Sequence, residues 1–370
     1  MIVGILREIK EDEHRASMTP AGVEVMRQNG HAVLVEKHAG MASGFEDADY
    51  AKAGAEIVAT PKEVFERSEM ILRVKEPQPS EYNLIREGQI YFAYLHLATS
   101  AAVTKALVKS GSVNIAYETV QRTDGSLPLL KAMSQVCGTM AVQEGAKYLE
   151  MAQGGHGVLL GGVPGVDPGM VLVLGGGVVG INAAKTACGL GARVYILDVD
   201  LERLRYLSDV MPGSCFISVS NPATIRDLIT RADVVVGAVL VPGGTTPKLV
   251  SKDMVKTMKK GAVLVDVAID QGGCFETSKE TTHSKPTYTL DGVVHYAVSN
   301  MPGALPKTAT IALTNATLSY ALEIANKGWQ RAMKENPAIK CGANVVKGKV
   351  THKGVAEALG LEYTPVDTLL

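Results

Sequence analysis

Residues 171–200 read VLVLGGGVVGINAAKTACGLGARVYILDVD and decide how this chain of 370 residues folds. The apolar run Val171–Leu174 has the length of a buried strand. Gly175-Gly176-Gly177-Val178-Val179-Gly180 then supplies G-x-G-x-x-G at the mouth of an alanine-rich helical segment, and a second apolar run, Arg193–Leu197, ends on Asp198. A lone glycine pattern is weak. Strand, loop, helix, strand and terminal acid in this order specify a dinucleotide-binding unit.

Each position has a physical role. Gly175 permits the tight turn, Gly177 lets a pyrophosphate approach the backbone, and Gly180 lets helix and strand pack closely. Free amides at the helix start stabilise phosphate charge. Asp198 accepts hydrogen bonds from ribose hydroxyls and repels a 2′-phosphate, which favours NAD over NADP, while Arg203 is near enough in sequence to blunt that repulsion. The bland alternative is a glycine turn that binds nothing.

Outward from this unit the pattern repeats. Strands are expected at Ala192–Leu197, Cys215–Val219, Val234–Ala238, Ala262–Val267 and Val294–Val298, and earlier at Ile2–Leu6, Ala32–Glu36, Glu56–Val58, Met70–Val74, Ile90–Leu95 and Val113–Tyr117, with helical segments between them. This alternation gives an α/β fold with two doubly wound domains: a Rossmann NAD-binding domain at 129–306 and a discontinuous Rossmann-like substrate domain at 1–128 and 307–370. A long helix is expected at Lys131–Met151, with Gly138 and Gly145 as its weak points, and a late one at Thr308–Lys327 that returns the chain to the first domain.

Composition narrows the function. The 37 basic and 38 acidic residues leave a net charge of −1, so no field recruits nucleic acid or an anionic membrane. The N-terminal apolar stretch is too short for a signal peptide, and no apolar run approaches a membrane span; a cytoplasmic location is expected. The five cysteines, Cys137, Cys188, Cys215, Cys274 and Cys341, form no C-x-x-C pair, which disfavours a zinc site or a disulfide framework. Cys274, just past Asp270, is the thiol expected to respond to a thiol reagent.

Ligands of parallel sheets sit beyond the carboxyl ends of strands. Arg15 follows the first strand, Lys75 the fourth and His96 the fifth; Asp270 follows AVLVDVAI and Asn300 follows VVHYAVS. An anion-binding guanidinium, a carbonyl-polarising ammonium, a titratable imidazole and a carboxylate suit reduction of a 2-oxo acid, provided the two sheets face one another. Taken singly, Arg15 reads as a solvated loop charge, Lys75 as a partner of Glu76, His96 as a loop hydrogen-bonder and Asp270 as a helix N-cap.

The segments GILREIKEDEHRASMTP, ILRVKEPQPSEY, YLHLA, MSQVCGTMAVQEGAKYLE, LGGGVVGINAAK, DVAIDQGG, VSNMPGALPKTAT and ALTNATL, in this order, closely resemble the alanine dehydrogenase family across essentially the whole chain. The resemblance implies reversible NAD-dependent oxidative deamination of L-alanine to pyruvate and ammonium. It implies Arg15 on the substrate carboxylate, Lys75 on the carbonyl oxygen, His96 as general acid/base and Asp270 orienting the amino group. It implies cofactor contacts at Ser134, Val178, Val179, Asp198, Arg203, Ser220, Val239, Leu240, Val267, Ala268, Ile269, Asp270, Lys279, Val298, Ser299, Asn300 and Met301, besides the glycines, and a homo-hexamer. Some relatives bind a divalent ion near the late helix; here Glu323 is followed one turn on by Lys327, a poor ligand, and no metal is expected. As general base, His96 is expected to titrate near working pH. The rival readings are the NAD-binding subunit of a proton-translocating transhydrogenase, a lysine-pathway dehydrogenase of related fold, and a catalytically silent NAD-binding protein.

Overall fold

The computed structural model describes residues 1–239 and 246–370, so Leu240 lies outside the described residues. The chain divides into two compact units, Met1–Met133 with Gly303–Leu370, and Ser134–Pro302. The first holds β1 (Ile2–Ile5), β2 (Ala32–Glu36), β3 (Glu56–Val58), β4 (Met70–Leu72), β5 (Ile90–Ala93) and β6 (Val113–Ala116); the second holds β7 (Met170–Leu174), β8 (Arg193–Asp198), β9 (Cys215–Val219), β10 (Val234–Gly237), β11 (Val263–Asp266), β12 (Thr287–Leu290) and β13 (Val293–Tyr296). The chain then re-enters the first unit with β14 (Ala343–Val346) and β15 (Lys349–Val350).

Both sheets follow one plan. Their strand orders are β3-β2-β1-β4-β5-β6-β14-β15 and β9-β8-β7-β10-β11-β13-β12. Each is parallel from its first-named strand to β6 or β13, and each is finished by antiparallel strands that pattern reading misses. Those strands are short: β12 is partly exposed, and β14 is only four residues long. The parallel strands carry unbroken apolar runs because helices cover both faces, and all five residues of β7 are buried. In both orders the winding reverses beside the first strand of the unit, between β1 and β4 and between β7 and β10. Such a switch point opens a crevice at the carboxyl edge.

Two expectations about boundaries change for physical reasons. The apolar runs Met70–Val74 and Ile90–Leu95 outlast β4 and β5 because the amides of Val74 and Leu95 leave the ladder for carboxylates, Glu8 at 2.7 Å and Glu118 at 3.2 Å. The long helix spans Pro128–Tyr148, and its glycines are contact points within the second unit. A Cβ on Gly138 would lie 2.2 Å from the Val179 carbonyl oxygen, and one on Gly145 would lie 2.7 Å from Val234.

The glycine turn shows the same constraint at its tightest. A Cβ on Gly180 would lie 1.8 Å from the Gly175 carbonyl oxygen, whereas one on Gly177 would meet nothing within 4 Å. Gly180→Ala is therefore expected to destabilise by at least about 1–3 kcal/mol, the scale of overpacking, and Gly177→Ala to leave stability unchanged. Thermal unfolding of both variants checks this, and equal melting temperatures would contradict it.

Candidate active site

Where a parallel strand ends, its amides lose their ladder acceptors and must find others. In this chain carboxylates supply them. Glu13 accepts from the backbone N–H of Arg15 at 3.0 Å and grips its side chain, from Nε at 2.7 Å and Nη2 at 2.5 Å. Glu8 accepts from the amides of Val74 at 2.7 Å and Lys75 at 3.4 Å, and from Arg73 Nη2 at 2.8 Å; Arg73 also pairs with Glu81. Glu118 accepts from the amide of His96 at 2.6 Å and that of Leu95 at 3.2 Å. In the second unit Asp266 accepts from the amides of Ala268 at 3.2 Å and Cys274 at 2.9 Å, and from the Ser278 hydroxyl at 2.5 Å.

The first unit thereby gathers three of the residues singled out from sequence. Arg15 is 2% exposed, not a solvated loop charge. Its burial opposes ionisation, but Glu13 outweighs that and holds the guanidinium charged. Lys75 does not pair with Glu76, which instead meets Lys10 at 2.5 Å. Burial lowers the pKa of Lys75, and the like charges of Arg15 and Lys10 add to the effect. His96 sits in left-handed backbone, φ +49° and ψ +39°, with its ring 6.2 Å from that of Tyr94 and nearly parallel to it. Arg15 Nη1 lies 3.1 Å from Met133 Sδ, and the Tyr94 hydroxyl donates to the Leu129 carbonyl at 2.7 Å.

His96 is where the pH expectation fails. The residue keeps exposed surface, yet the protein packed around it, and after that the cations Lys75, Lys10 and Arg15, push its pKa down to about 3. The imidazole is neutral throughout the physiological range rather than poised within it. Lys10 gave no signal in sequence beyond its place in a charged loop.

The second unit arranges its own carboxyl edge. Gly175 turns with φ +103° and its amide bonds to the Leu197 carbonyl at 2.8 Å. Asp198 closes that turn by accepting from the Gly176 amide at 2.6 Å and the Asp200 amide at 3.0 Å. A Cβ on Gly176 would lie 3.1 Å from Asp198 Oδ2 and 3.2 Å from Arg203 Cγ, so both side chains flank the turn. The Ser220 amide bonds to the Asp198 carbonyl at 2.8 Å, and Val239 packs beside Gly175. Val267 is tied to the Gly237 carbonyl at 3.0 Å. Buried Ala268 and Ile269 lead to exposed Asp270 in the short turn Ile269–Gln271, whose N-cap is Ala268, so Asp270 is not the cap. After β13, Val298 and Met301 are buried, Ser299 bonds to the Thr281 carbonyl at 3.3 Å, and Asn300 has φ +55°. Ser134 opens this unit half-buried. Lys279 is exposed, its amide bonded to the Tyr288 hydroxyl at 2.8 Å.

Comparison with known proteins bears on this arrangement directly. The family model described as alanine dehydrogenase/PNT, N-terminal domain, matches residues 4–137, and the corresponding C-terminal domain model matches residues 141–353. The chain belongs to the alanine dehydrogenase/PNT family. Among its relatives, the alanine dehydrogenase of Methanococcus maripaludis is 54% identical over all of both chains, and alanine dehydrogenase 2 of Staphylococcus aureus is 53% identical, again over all of both. A solved L-alanine dehydrogenase superposes with a TM-score of 0.95 at 48% identity, covering 97% of this chain and 99% of that one. A transhydrogenase from Sinorhizobium meliloti, at TM-score 0.83 and 24% identity over 95% of this chain and 99% of that one, shares the fold.

Membership in the alanine dehydrogenase/PNT family does not make Cys274 reactive. Its side chain is fully buried, and burial, with Asp266 nearby, pushes its thiol up to about 12, so a thiolate is suppressed. On the late helix, Glu323 and Lys327 form an ion pair at 2.8 Å.

Because Lys75 is the leading cation acting on His96, replacing it with methionine should raise the pKa of the imidazole. Ring resonances of His96 followed by NMR across pH in wild type and Lys75→Met check this, and an unmoved midpoint would contradict the electrostatic account.

Proposed function

We propose that the chain catalyses the reversible NAD-dependent oxidative deamination of L-alanine to pyruvate and ammonium. The observation that carries this reading is the gathering of Arg15, Lys75 and His96 at one sheet's carboxyl edge, in a chain that matches alanine dehydrogenases end to end. The second unit is read as the NAD-binding domain and the first as the substrate domain.

The residues fit the cofactor. Gly180 has no room for a side chain, Gly177 faces open space, and the helix Val178–Gly189 starts at the turn, which is the backbone cradle that a pyrophosphate needs. Asp198 would take the adenosine ribose, its charge disfavouring NADP, with Arg203 beside it. Ser134, Ser220, Val239, Val267, Ala268, Ile269, Lys279, Val298, Ser299, Asn300 and Met301 would line the remainder of the path. When bound, the nicotinamide accepts or returns the hydride.

The chain's own residues do the rest. Arg15, held by Glu13 through Nε and Nη2, would supply the positive charge that draws the substrate carboxylate. Lys75 polarises the oxygen on C2. Asp270 orients the amino group or the incoming ammonia. Neutral His96 takes a proton from the water that attacks C2, and gives it back in the reverse direction. A carboxylate seated among Arg15, Lys75 and Lys10 offsets the charges that depress His96, so the imidazole becomes a stronger base when substrate is present.

No helix among the described residues is long and apolar enough to cross a membrane. A cytoplasmic homo-hexamer is the setting implied by the family resemblance, and sedimentation of the purified protein gives its mass.

Mixing the protein with L-alanine and NAD should produce the near-ultraviolet absorbance of NADH, with little signal from NADP or from lysine with 2-oxoglutarate. Binding of NAD without any alanine-dependent change would overturn the reading. Gly177→Ala should weaken NADH binding at least about tenfold, about 1.4 kcal/mol, at unchanged melting temperature; unimpaired binding would remove the turn from the cofactor site.

A further inference from the structure

We infer that Glu118 is the positioning residue for His96 in the alanine reaction, acting through the backbone rather than through the imidazole. A non-glycine residue in left-handed backbone is strained and persists only where its surroundings hold it. His96 is such a residue, with φ +49°. Glu118 stands in the short turn that follows β6, the neighbour of β5, and its carboxylate closes over the turn after β5. Oε1 accepts from the His96 amide at 2.6 Å and the Leu95 amide at 3.2 Å, and Oε2 accepts from the Leu95 amide at 3.2 Å. Two consecutive amides directed at one carboxylate fix the path of the chain at the point where the side chain of His96 departs. Without that acceptor the amides are unpaired and the turn relaxes toward ordinary backbone, carrying the imidazole away from where a proton must be moved. Lys75 steadies the arrangement by its charge on Glu118.

This rests on the reading of His96 as the general acid/base, and its test separates the two. Turnover of alanine, KM for alanine and the dissociation constant for NADH are measured for wild type, His96→Ala, Glu118→Ala, Glu118→Gln and the double variant His96→Ala/Glu118→Ala. His96→Ala should lose about 10²-fold in kcat. Glu118→Ala should lose about tenfold or more in kcat, with NADH binding unchanged. Glu118→Gln keeps an acceptor at the Oε1 position and should restore most of the turnover. In the His96→Ala background the removal of Glu118 should cost almost nothing further, since a residue acting only through another shows no effect once that one is gone.

Equal losses from Glu118→Ala in both backgrounds would overturn the inference in favour of a general structural role, as would full activity of Glu118→Ala. If Glu118→Ala does not fold, Glu118→Gln carries the comparison, and a loss there equal to that of His96→Ala would overturn the inference. Unimpaired turnover in His96→Ala would instead overturn the reading of His96 itself.

Discussion

A buried carboxylate that accepts the amides at a strand's end is the contact on which the rest of the arrangement depends. Hydrogen bonds to a charged acceptor contribute about 1.5–3 kcal/mol each, and an amide left without one costs a comparable amount. Glu8, Glu13, Glu118 and Asp266 each meet this need at a different loop. A carboxylate inside a protein requires compensation in turn. Arg15 supplies it for Glu13 and Arg73 for Glu8, while Glu118 is compensated by backbone amides and by the charge of Lys75. Among the described residues, Asp266 has no cation of this kind beside it. Burial raises its pKa, and four donors, the Ser278 hydroxyl first among them, draw it back.

Much of the fold was legible because parallel strands announce themselves as short unbroken apolar runs and helices as the stretches between. The glycine turn was legible because three glycines and a terminal acid at fixed spacing leave few alternatives. What escaped has a common cause. β12 and β15 are antiparallel edge strands and β14 lies between β6 and β15; each has four residues or fewer, with too little pattern to count. Glu118 looked like any acid after a strand, because nothing in its neighbourhood reveals that His96 adopts left-handed backbone. Glu13 stands two positions before Arg15 in an acidic run, where only the fold shows which acid turns inward. The reactivity expected of Cys274 failed for a related reason: nearness in sequence to Asp270 says nothing about burial.

Among the described non-glycine residues with positive φ, His96 and Asn300 lie at strand ends already singled out for their chemistry. Strain at such places is a sign of geometry held for a purpose. In each the left-handed residue begins the loop and is tied by hydrogen bonds: Glu118 to the amide of His96, and the ring of His283 to the carbonyl of Asn300. The two sheets share a strand order and a switch point, yet they use them differently. The second unit clears space with glycine, while the first fills its edge with charge.

Burial first, and that charge after it, make the His96 imidazole weakly basic, and the response of the charge part to an arriving anion can be observed without turnover. The pKa of the His96 ring should be followed by NMR in the NADH complex, with ammonium absent, before and after saturation with pyruvate. The midpoint is expected to move upward from its depressed value of about 3 as the carboxylate offsets Lys75, Lys10 and Arg15. A midpoint that stays in place with pyruvate bound would show that the cations and the imidazole do not serve one substrate.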